Sequence, residues 1–238
     1  MLSTEELRRY DRQLKVIGVE GQKKIRNTKV LIAGVGGLGS FYSILLAVLG
    51  VGRIILIDFD KVELSNLNRQ VIHWTSDIDY PKPFSAQRKI KMINPHVEVT
   101  TFYTKITEES LARIINDADI VLDGLDNWET RLILDKVAYR ARKPLIHAGV
   151  YGFEGQVVPI NPKKGECLKC LLPAPPKSEK IPIIPCAVAM IASIVISEFI
   201  KIITGISSPN YGKMIIIDIS APEVLVIDLR KKENCICS

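Results

Sequence analysis

KVLIAGVGGLGS (29–40) and, after an apolar run, RIILIDFDKVELSNLNRQ (53–70) form the stretch whose reading decides the fold. Lys29 to Ala33 is short, apolar and rich in β-branched residues, the mark of a buried strand. Gly34, Gly36 and Gly39 follow at once in GxGxxG spacing, and Ser40 to Leu49 has the apolar spacing of a helix. A glycine turn between strand and helix lets backbone N–H groups approach a phosphate, and the helix N-terminus adds partial positive charge. A second strand, Ile54 to Ile57, ends on Asp58, about 20 residues past the glycines, where a carboxylate can accept hydrogen bonds from ribose hydroxyls. The stretch predicts an α/β, Rossmann-like, largely parallel sheet flanked by helices, with a nucleotide at its glycine turn.

Three additions narrow the kind of nucleotide. Gly37 opens the turn to GxGGLG, a second acid, Asp60, follows Asp58, and the polar cluster Ser65-Asn66-Leu67-Asn68-Arg69-Gln70 stands where a plain βαβ unit would continue into a helix. Arg69 and Asn66 suit triphosphate oxygens, because a guanidinium fork binds two oxygens at once and an amide can donate a third bond. These motifs, GxGGLG and DxDxVxxSNLxRQ, resemble those of the adenylating family that includes ubiquitin-activating enzymes and the bacterial adenylyltransferases of molybdopterin and thiamine biosynthesis. The likeness extends over nearly the whole chain.

The chain has 238 residues, 47% of them hydrophobic, enough for a full core. Its charged N-terminus, MLSTEELRRYDRQLK, lacks the apolar region of a signal peptide. The uncharged run Ile183 to Ser197 is shorter than the roughly 20 residues of a membrane span, contains Pro185, and reads as a buried helix. Five cysteines without a secretory signal point to a reducing cytoplasm and to metal or thiol chemistry rather than disulfides. The net charge of +6 fits a solvated lysine surface first, and an anionic nucleotide, an acidic protein or RNA after that. One adenylation domain is expected, divided into an N-terminal helical region (1–28), a nucleotide-binding core (29–160), a CxxC and crossover loop (161–185) and a C-terminal helix, hairpin and cysteine tail (186–238).

Ser3 to Val16 reads as one amphipathic helix with a Ser3/Glu6 capping box and Leu7, Tyr10, Leu14 and Ile17 on one face. Arg8, Arg9 and Arg12 then face water, a partner or a ligand. Arg9-Tyr10-x-Arg12-Gln13 is similar to the family's RYxRQ motif, whose last arginine reaches the nucleotide of the partner subunit, so the resemblance assigns that role to Arg12 and implies a homodimer. Pro81 and Pro83 bar Lys82 from a helix interior and set it at the mouth of a helix over Phe84 to Met92. An ordinary loop lysine has the same local signature. The resemblance makes Lys82 the phosphate lysine, at the family's distance before Asn94-Pro95. A strand over Ile120 to Leu122 delivers Asp123-Gly-Leu-Asp126-Asn127 to the carboxyl end of the sheet, where two acids suit Mg²⁺ and where Asp126 or Asn127 also suits the cap of a helix over Trp128 to Arg140. The resemblance places the magnesium at Asp126 and leaves Asp123 to order the loop.

Pro144 to Val150 and Gly155 to Ile160 read as an antiparallel pair, the first broken by Gly149 and Gly152, with His147 a satisfied core histidine rather than a catalyst. Cys167 and Cys170 are half a zinc site. The family usually closes that structural Zn²⁺ with a second CxxC, whereas this chain offers Cys235 and Cys237 in CxC spacing. Cys186 opens a helix over Ala187 to Ile203. A thiol there gains from the helix dipole, and relatives carry a cysteine that forms a thioester or persulfide, but a buried apolar cysteine is the reading favoured. Met214 to Ile219 and Val224 to Leu229 complete a hairpin.

The expected activity is ATP-dependent adenylation of the C-terminal glycine carboxylate of a ubiquitin-like sulfur-carrier protein, releasing pyrophosphate, with Arg12, Arg69, Lys82, Asp126 and Cys186 as catalytic candidates. Gly34, Gly36, Gly37, Gly39, Asp58, Asp60, Asn66 and Asn127 complete the ATP and Mg²⁺ site. A dehydratase adenylating a carboxylate on a tRNA nucleoside, threonylcarbamoyladenosine, is the alternative within the family. A nicotinamide-dependent oxidoreductase would explain only the glycine turn and Asp58, and a non-catalytic scaffold would leave every one of these polar residues idle.

Overall fold

The structure is a computed structural model that describes residues 2–173, 182–221 and 223–232. Among these residues, eight strands form a single sheet in the order β3-β2-β1-β4-β5-β6-β7-β8. The strands β1 (Lys29–Ala33), β2 (Arg53–Asp58), β3 (Glu98–Tyr103), β4 (Ile120–Asp123) and β5 (Leu145–Tyr151) run parallel. The chain then turns back, and β6 (Glu154–Ile160), β7 (Lys213–Asp218) and β8 (Glu223–Asp228) are antiparallel. The Rossmann-like sheet is therefore as the glycine stretch implies, and its antiparallel C-terminal extension is as the strand pair over 144–160 and the hairpin over 214–229 imply.

Central strands read as unbroken apolar runs because both of their faces are covered. Successive side chains point to opposite faces, so Val30, Ile32, Ile54 and Leu56 meet α3 (Gly37–Leu49), α4 (Lys82–Ile93) and α8 (Pro185–Thr204). Leu31, Ile55, Ile57 and Val121 meet α5 (Glu108–Ile114), α6 (Trp128–Arg140) and α7 (Leu168–Leu171) on the other side. The helix α8 is long and apolar enough by composition to cross a membrane. Here it is a core helix: Val188, Ile191, Val195 and Phe199 are buried against the sheet, and its buried Glu198 accepts hydrogen bonds from Lys201 Nζ at 2.6 Å and Asn210 N at 2.8 Å.

Local details depart from the sequence reading in four places. The N-terminal segment is two helices, α1 (Thr4–Arg9) and α2 (Asp11–Asn27), the second interrupted at Gly18 with φ of 70°. The capping box forms, but Leu7 is exposed, and only Tyr10 of the expected apolar face is fully buried. The reason is long-range. Tyr10 Oη accepts a bond from Asn94 Nδ2 at 2.9 Å, Gln13 Nε2 donates to the Leu49 carbonyl at 2.9 Å, and the ring lies over Gly50 at the end of α3. Second, α4 starts at Lys82 itself, since proline is at home in a first helical turn. Third, Gly149 lies inside β5 and does not break it; the turn is at Gly152, with φ of 57°. Fourth, the 161–185 segment contains the helix α7 and the turn Pro162–Lys164.

The order of strands puts β1 beside β4, and their outgoing loops diverge there. Gly34 (φ 86°) and Gly124 lie back to back at that point: a Cβ on Gly124 would sit 2.5 Å from the Gly34 carbonyl oxygen, and one on Gly39 would sit 2.0 Å from the same atom. Gly39→Ala should therefore destabilise the protein by about 2 kcal/mol or more, since backbone must move to admit the methyl. Urea unfolding would read this, and a midpoint equal to the wild type's would show that the loop yields without cost.

Candidate active site

The first turn of α3 presents Gly36 and Gly37. Unlike Gly34 and Gly39, these two have room: an added Cβ on Gly36 meets nothing nearer than 3.8 Å, and on Gly37 nothing nearer than 3.4 Å. Glycine at 34 and 39 is thus demanded by the fold, whereas at 36 and 37 it leaves backbone N–H groups bare at a helix N-terminus, an anion site. Arg69 and Gln70 flank this opening, with Arg69 Cγ 3.8 Å from the Gly37 Cβ position and Gln70 Nε2 3.8 Å from that of Gly36. Among the described residues, the buried Gln70 Oε1 has no hydrogen-bond partner. Val188 of α8 touches Gly37, which sets the first turn of that helix at the rim of the opening.

Asp58 ends β2 as expected, but both its oxygens serve the protein: Oδ2 accepts from Val35 N at 2.7 Å and Oδ1 from Asp60 N at 2.8 Å. Burial pushes its carboxyl above the ordinary value, against the pull of the Lys82 charge and of those two N–H groups. The buried Lys82 is tied to Asp60, Nζ to Oδ2 at 2.8 Å, so the two are one ion pair in the resting protein. Arg69 Nη1 donates to the Ser65 carbonyl at 2.9 Å and to Asn68 Oδ1 at 3.0 Å. Asn66 is buried, and its Oδ1 accepts from Glu63 N at 3.2 Å, shaping the loop that carries Arg69.

Across the switch point, the two acids after β4 part company. Asp123 is buried and fully engaged, accepting from Leu125 N at 3.0 Å and from His147 Nδ1 at 2.7 Å, with Arg131 Nε 3.4 Å away. His147 is a wholly buried core histidine, and burial lowers its pKa. Asp126 is exposed, and the hydrogen bond to its carboxylate comes from Asn127 Nδ2 at 3.3 Å. Asn127 caps α6, its Oδ1 accepting from Thr130 N at 2.9 Å. Asp123 thus orders the loop, while Asp126 stands in solvent with one hydrogen bond from its neighbour, and an exposed carboxylate is a ligand that suits a hard, partly hydrated cation.

The ThiF family model matches residues 10–238. The chain belongs to the ThiF family. It is 33% identical over 97% of its length to a sulfur carrier protein adenylyltransferase of Thermus thermophilus, and spans 90% of that relative. It is 36% identical to the adenylyltransferase and sulfurtransferase MOCS3 of Culex quinquefasciatus over its whole length, but spans only 56% of that larger protein. Among solved structures, Escherichia coli MccB with a MccA derivative superposes with a TM-score of 0.88 at 26% identity, covering 97% of this chain and 75% of MccB. MccB has also been solved with ATP, and that structure superposes with a TM-score of 0.86. The named relatives are adenylyltransferases, in keeping with an enzyme of that type.

In this ThiF-family chain, the remaining site residues expected from sequence lie on α2, α7 and α8 or outside what is described. Arg12 is exposed on α2 and, among the described residues, has no ion-pair partner. Cys186 is exposed in the first turn of α8, which corrects the favoured reading of a buried apolar cysteine. Cys167 and Cys170 are buried on the α7 turn, where Asp135 of α6 accepts from Leu168 N at 2.8 Å, and Cys170 is disulfide-bonded, which corrects the expectation of metal or thiol chemistry rather than disulfides. Cys235 and Cys237 lie outside the described residues, and among the described residues no group of three or more His, Cys, Asp or Glu side chains is placed to hold a metal.

What the sequence reading missed is a buried polar chain behind the glycine loop. His73 Nε2 faces the Val35 carbonyl at 3.0 Å and its Nδ1 faces Ser85 Oγ at 2.8 Å. Lys89 Nζ reaches Ser85 Oγ at 3.1 Å and pairs with the buried Asp77, which also holds Arg88. Nothing local marks these residues; only the spacing Ser85/Lys89, one helical turn, hints at a shared face.

Burial lowers the His73 pKa from 6.5 to about 4. A histidine whose folded pKa is depressed contributes stability that is complete above the unfolded value and is lost as pH falls through this window, because the unfolded chain binds the proton more readily. The advantage of wild type over the non-titrating variant His73→Gln should therefore shrink by up to about 3 kcal/mol between pH 6.5 and pH 4. Chemical unfolding of both proteins across that range is the measurement; a pH-independent difference would mean that His73 does not titrate there.

Proposed function

We propose that this chain adenylates the C-terminal glycine carboxylate of a ubiquitin-like sulfur-carrier protein at the expense of ATP, as a homodimer. The observation that carries the reading is the juxtaposition at the switch point. Bare Gly36 and Gly37 N–H groups lie beside Arg69, and the Gly34–Gly124 contact joins them to the loop that carries the open carboxylate of Asp126. Triphosphate needs cations and N–H donors on one side and a metal-binding oxygen on the other, and a dinucleotide needs neither Lys82, Arg69 nor Asp126.

In the reaction the carrier's carboxylate oxygen bonds to the α-phosphorus, the bond from that phosphorus to the bridging oxygen breaks, and pyrophosphate leaves with the negative charge. A carboxylate is already ionised at neutral pH, so the chain supplies no general base. Its task is to hold two anions in line and to neutralise the phosphates as charge shifts onto the leaving group. The helix α3 N-terminus, Lys82 and Arg69 would take the phosphates. Asp126 would hold Mg²⁺, which supplies further positive charge to the triphosphate. Arg12 would serve the partner subunit's nucleotide. Tyr10 and Gln13 support this assignment, because they fasten the same segment to α3 and Asn94 and leave Arg12 standing free of the fold.

A structural zinc belongs to the same reading. Cys170 is disulfide-bonded here, so the zinc reading applies to the reduced protein, in which Cys167 and Cys170 would supply two of the four thiolates a tetrahedral site takes, and Cys235 and Cys237 are the candidates for the others.

Asp126→Ala should reduce carrier-stimulated ATP–pyrophosphate exchange by about a hundredfold or more, with thermal unfolding unchanged because its carboxylate holds no part of the fold together. Exchange at the wild-type rate would remove Asp126 from the site. Elemental analysis of the purified protein should find about one zinc per chain, lost when Cys167 is replaced by serine; zinc-free protein of full stability would refute the Cys₄ assignment.

A further inference from the structure

The geometry points to His73 as a positioning residue that fixes the direction of the Gly36 N–H by holding the carbonyl of Val35. The identity of the ligand, ATP, rests on the function proposed above; the holding of the loop does not.

The argument begins with one peptide unit. The Val35 C=O and the Gly36 N–H belong to the same planar trans peptide, so they point in opposite directions. Val35 is fully buried, and its carbonyl is aimed inward at His73 Nε2, 3.0 Å away. The Gly36 N–H must then point outward, toward the opening at the start of α3. Nothing else at Gly36 enforces this. Its lack of a Cβ and the clear space around it make rotation of the 35–36 peptide cheap. The preceding unit is pinned separately, by Val35 N donating to Asp58 Oδ2 at 2.7 Å. Asp58 and His73 thus hold the two sides of Val35, one from the end of β2 and one from the segment before α4.

The tautomer follows from the chain of partners. Lys89 Nζ can only donate, and it lies 3.1 Å from Ser85 Oγ. The serine hydroxyl interacts with the Asp77 carboxylate and also faces His73 Nδ1 at 2.8 Å, and a neutral imidazole that bonds the Val35 carbonyl must offer Nδ1 as an acceptor. That leaves the proton on Nε2, opposite a carbonyl that can only accept. A neutral imidazole is required for this pattern, and burial keeps His73 neutral down to about pH 4. The anchor at the far end is the buried Asp77, which accepts from Lys89 and from Trp74 N at 2.8 Å. The polar chain therefore runs from α4 to the glycine turn, and the helix that carries Lys82 also sets the loop that faces the phosphates.

Two isosteric substitutions separate this role from simple packing. Glutamine places an amide N–H near the position of Nε2 and can still hold the Val35 carbonyl; asparagine reaches only the Nδ1 position and cannot. In binding titrations of the full-length protein with MgATP, His73→Gln should stay within about threefold of wild type, and His73→Asn should bind about tenfold more weakly or worse. In pyrophosphate exchange at saturating carrier, the asparagine variant should raise KM for ATP more than it lowers kcat. Equal ATP affinities for the two folded variants would overturn the inference. Should His73→Asn not fold, wild-type protein labelled with ¹⁵N at histidine gives an independent reading: the His73 ring must show the Nε2–H tautomer, and its Nε2–H resonance must shift when ATP is added. An Nδ1–H tautomer or an unmoved resonance would overturn it equally. Wild type that binds MgATP but supports no carrier-stimulated exchange would refute the adenylation reading alone; wild type that binds no ATP would refute that reading and the ligand named here, and the ring tautomer would still decide whether His73 holds the loop.

Discussion

Backbone touching backbone, at Gly34 and Gly124, is the constraint on which the rest of the molecule depends. Parallel strands β1 and β4 are neighbours, yet the chain leaves them toward opposite sides of the sheet. Their carboxyl ends open a crevice, and the two outgoing loops can share its floor only where neither carries a side chain. A Cβ on either residue would wedge the loops apart and separate the helix N-terminus at Gly36 from the acid at Asp126. The same close approach forces Gly39, whose own Cβ would strike the Gly34 carbonyl. Half of the glycines in the turn are therefore there for the fold, and the other half for what approaches it.

Much of this was legible in the residues. The runs 29–33, 54–57 and 120–122 read as strands because buried parallel strands need no alternation, and they occupy the sheet's centre. Glycine spacing and the acid after β2 located the crevice. Asn127 and Ser3 capped helices as their residue types predict, since capping is a local hydrogen bond. What stayed hidden was which partner each polar group would find. Asp58 carries the signature of a ribose ligand, but its distance from Val35 N depends on how β1 and β2 pair, which no window of sequence contains. Asn66 suits a ligand through its amide donor, while its Oδ1 braces its own loop. The RYxRQ segment shows the same limit. Its tyrosine and glutamine are anchors and its last arginine is displayed, a division of labour set by Asn94 and Leu49, residues far away in the chain.

The polar chain from Asp77 to Val35 runs against the usual expectation for a core. A buried ion pair costs desolvation that Coulomb attraction only partly offsets, so Asp77 and Lys89 are poor evidence of stability. Their placement makes sense as specification. The four side chains of the chain, Asp77, Lys89, Ser85 and His73, are all hydrogen-bonded to one another or to backbone, and such a network tolerates fewer arrangements than an apolar core would. The arrangement it selects fixes a peptide plane beside two glycines, the part of the backbone with the least preference of its own.

The cations at the opening are held differently, and the difference bears on how a triphosphate could enter. Lys82 is buried and its charge is balanced by Asp60, so the resting site already meets the cost of taking an ammonium out of water. Asp60 is half exposed, with side-chain accessibility of 47%, against 6% for Lys82. When an anionic phosphate competes for the ammonium, Asp60 can return to water at little cost while Lys82 stays where it is. Arg69 rests on a carbonyl and a neighbouring amide, neutral acceptors that a phosphate outbids because charge-assisted hydrogen bonds are the stronger ones. Binding is then an exchange of weak or solvent-exposed partners for strong ones around side chains already in place. That is the condition under which electrostatic stabilisation costs least reorganisation during the reaction.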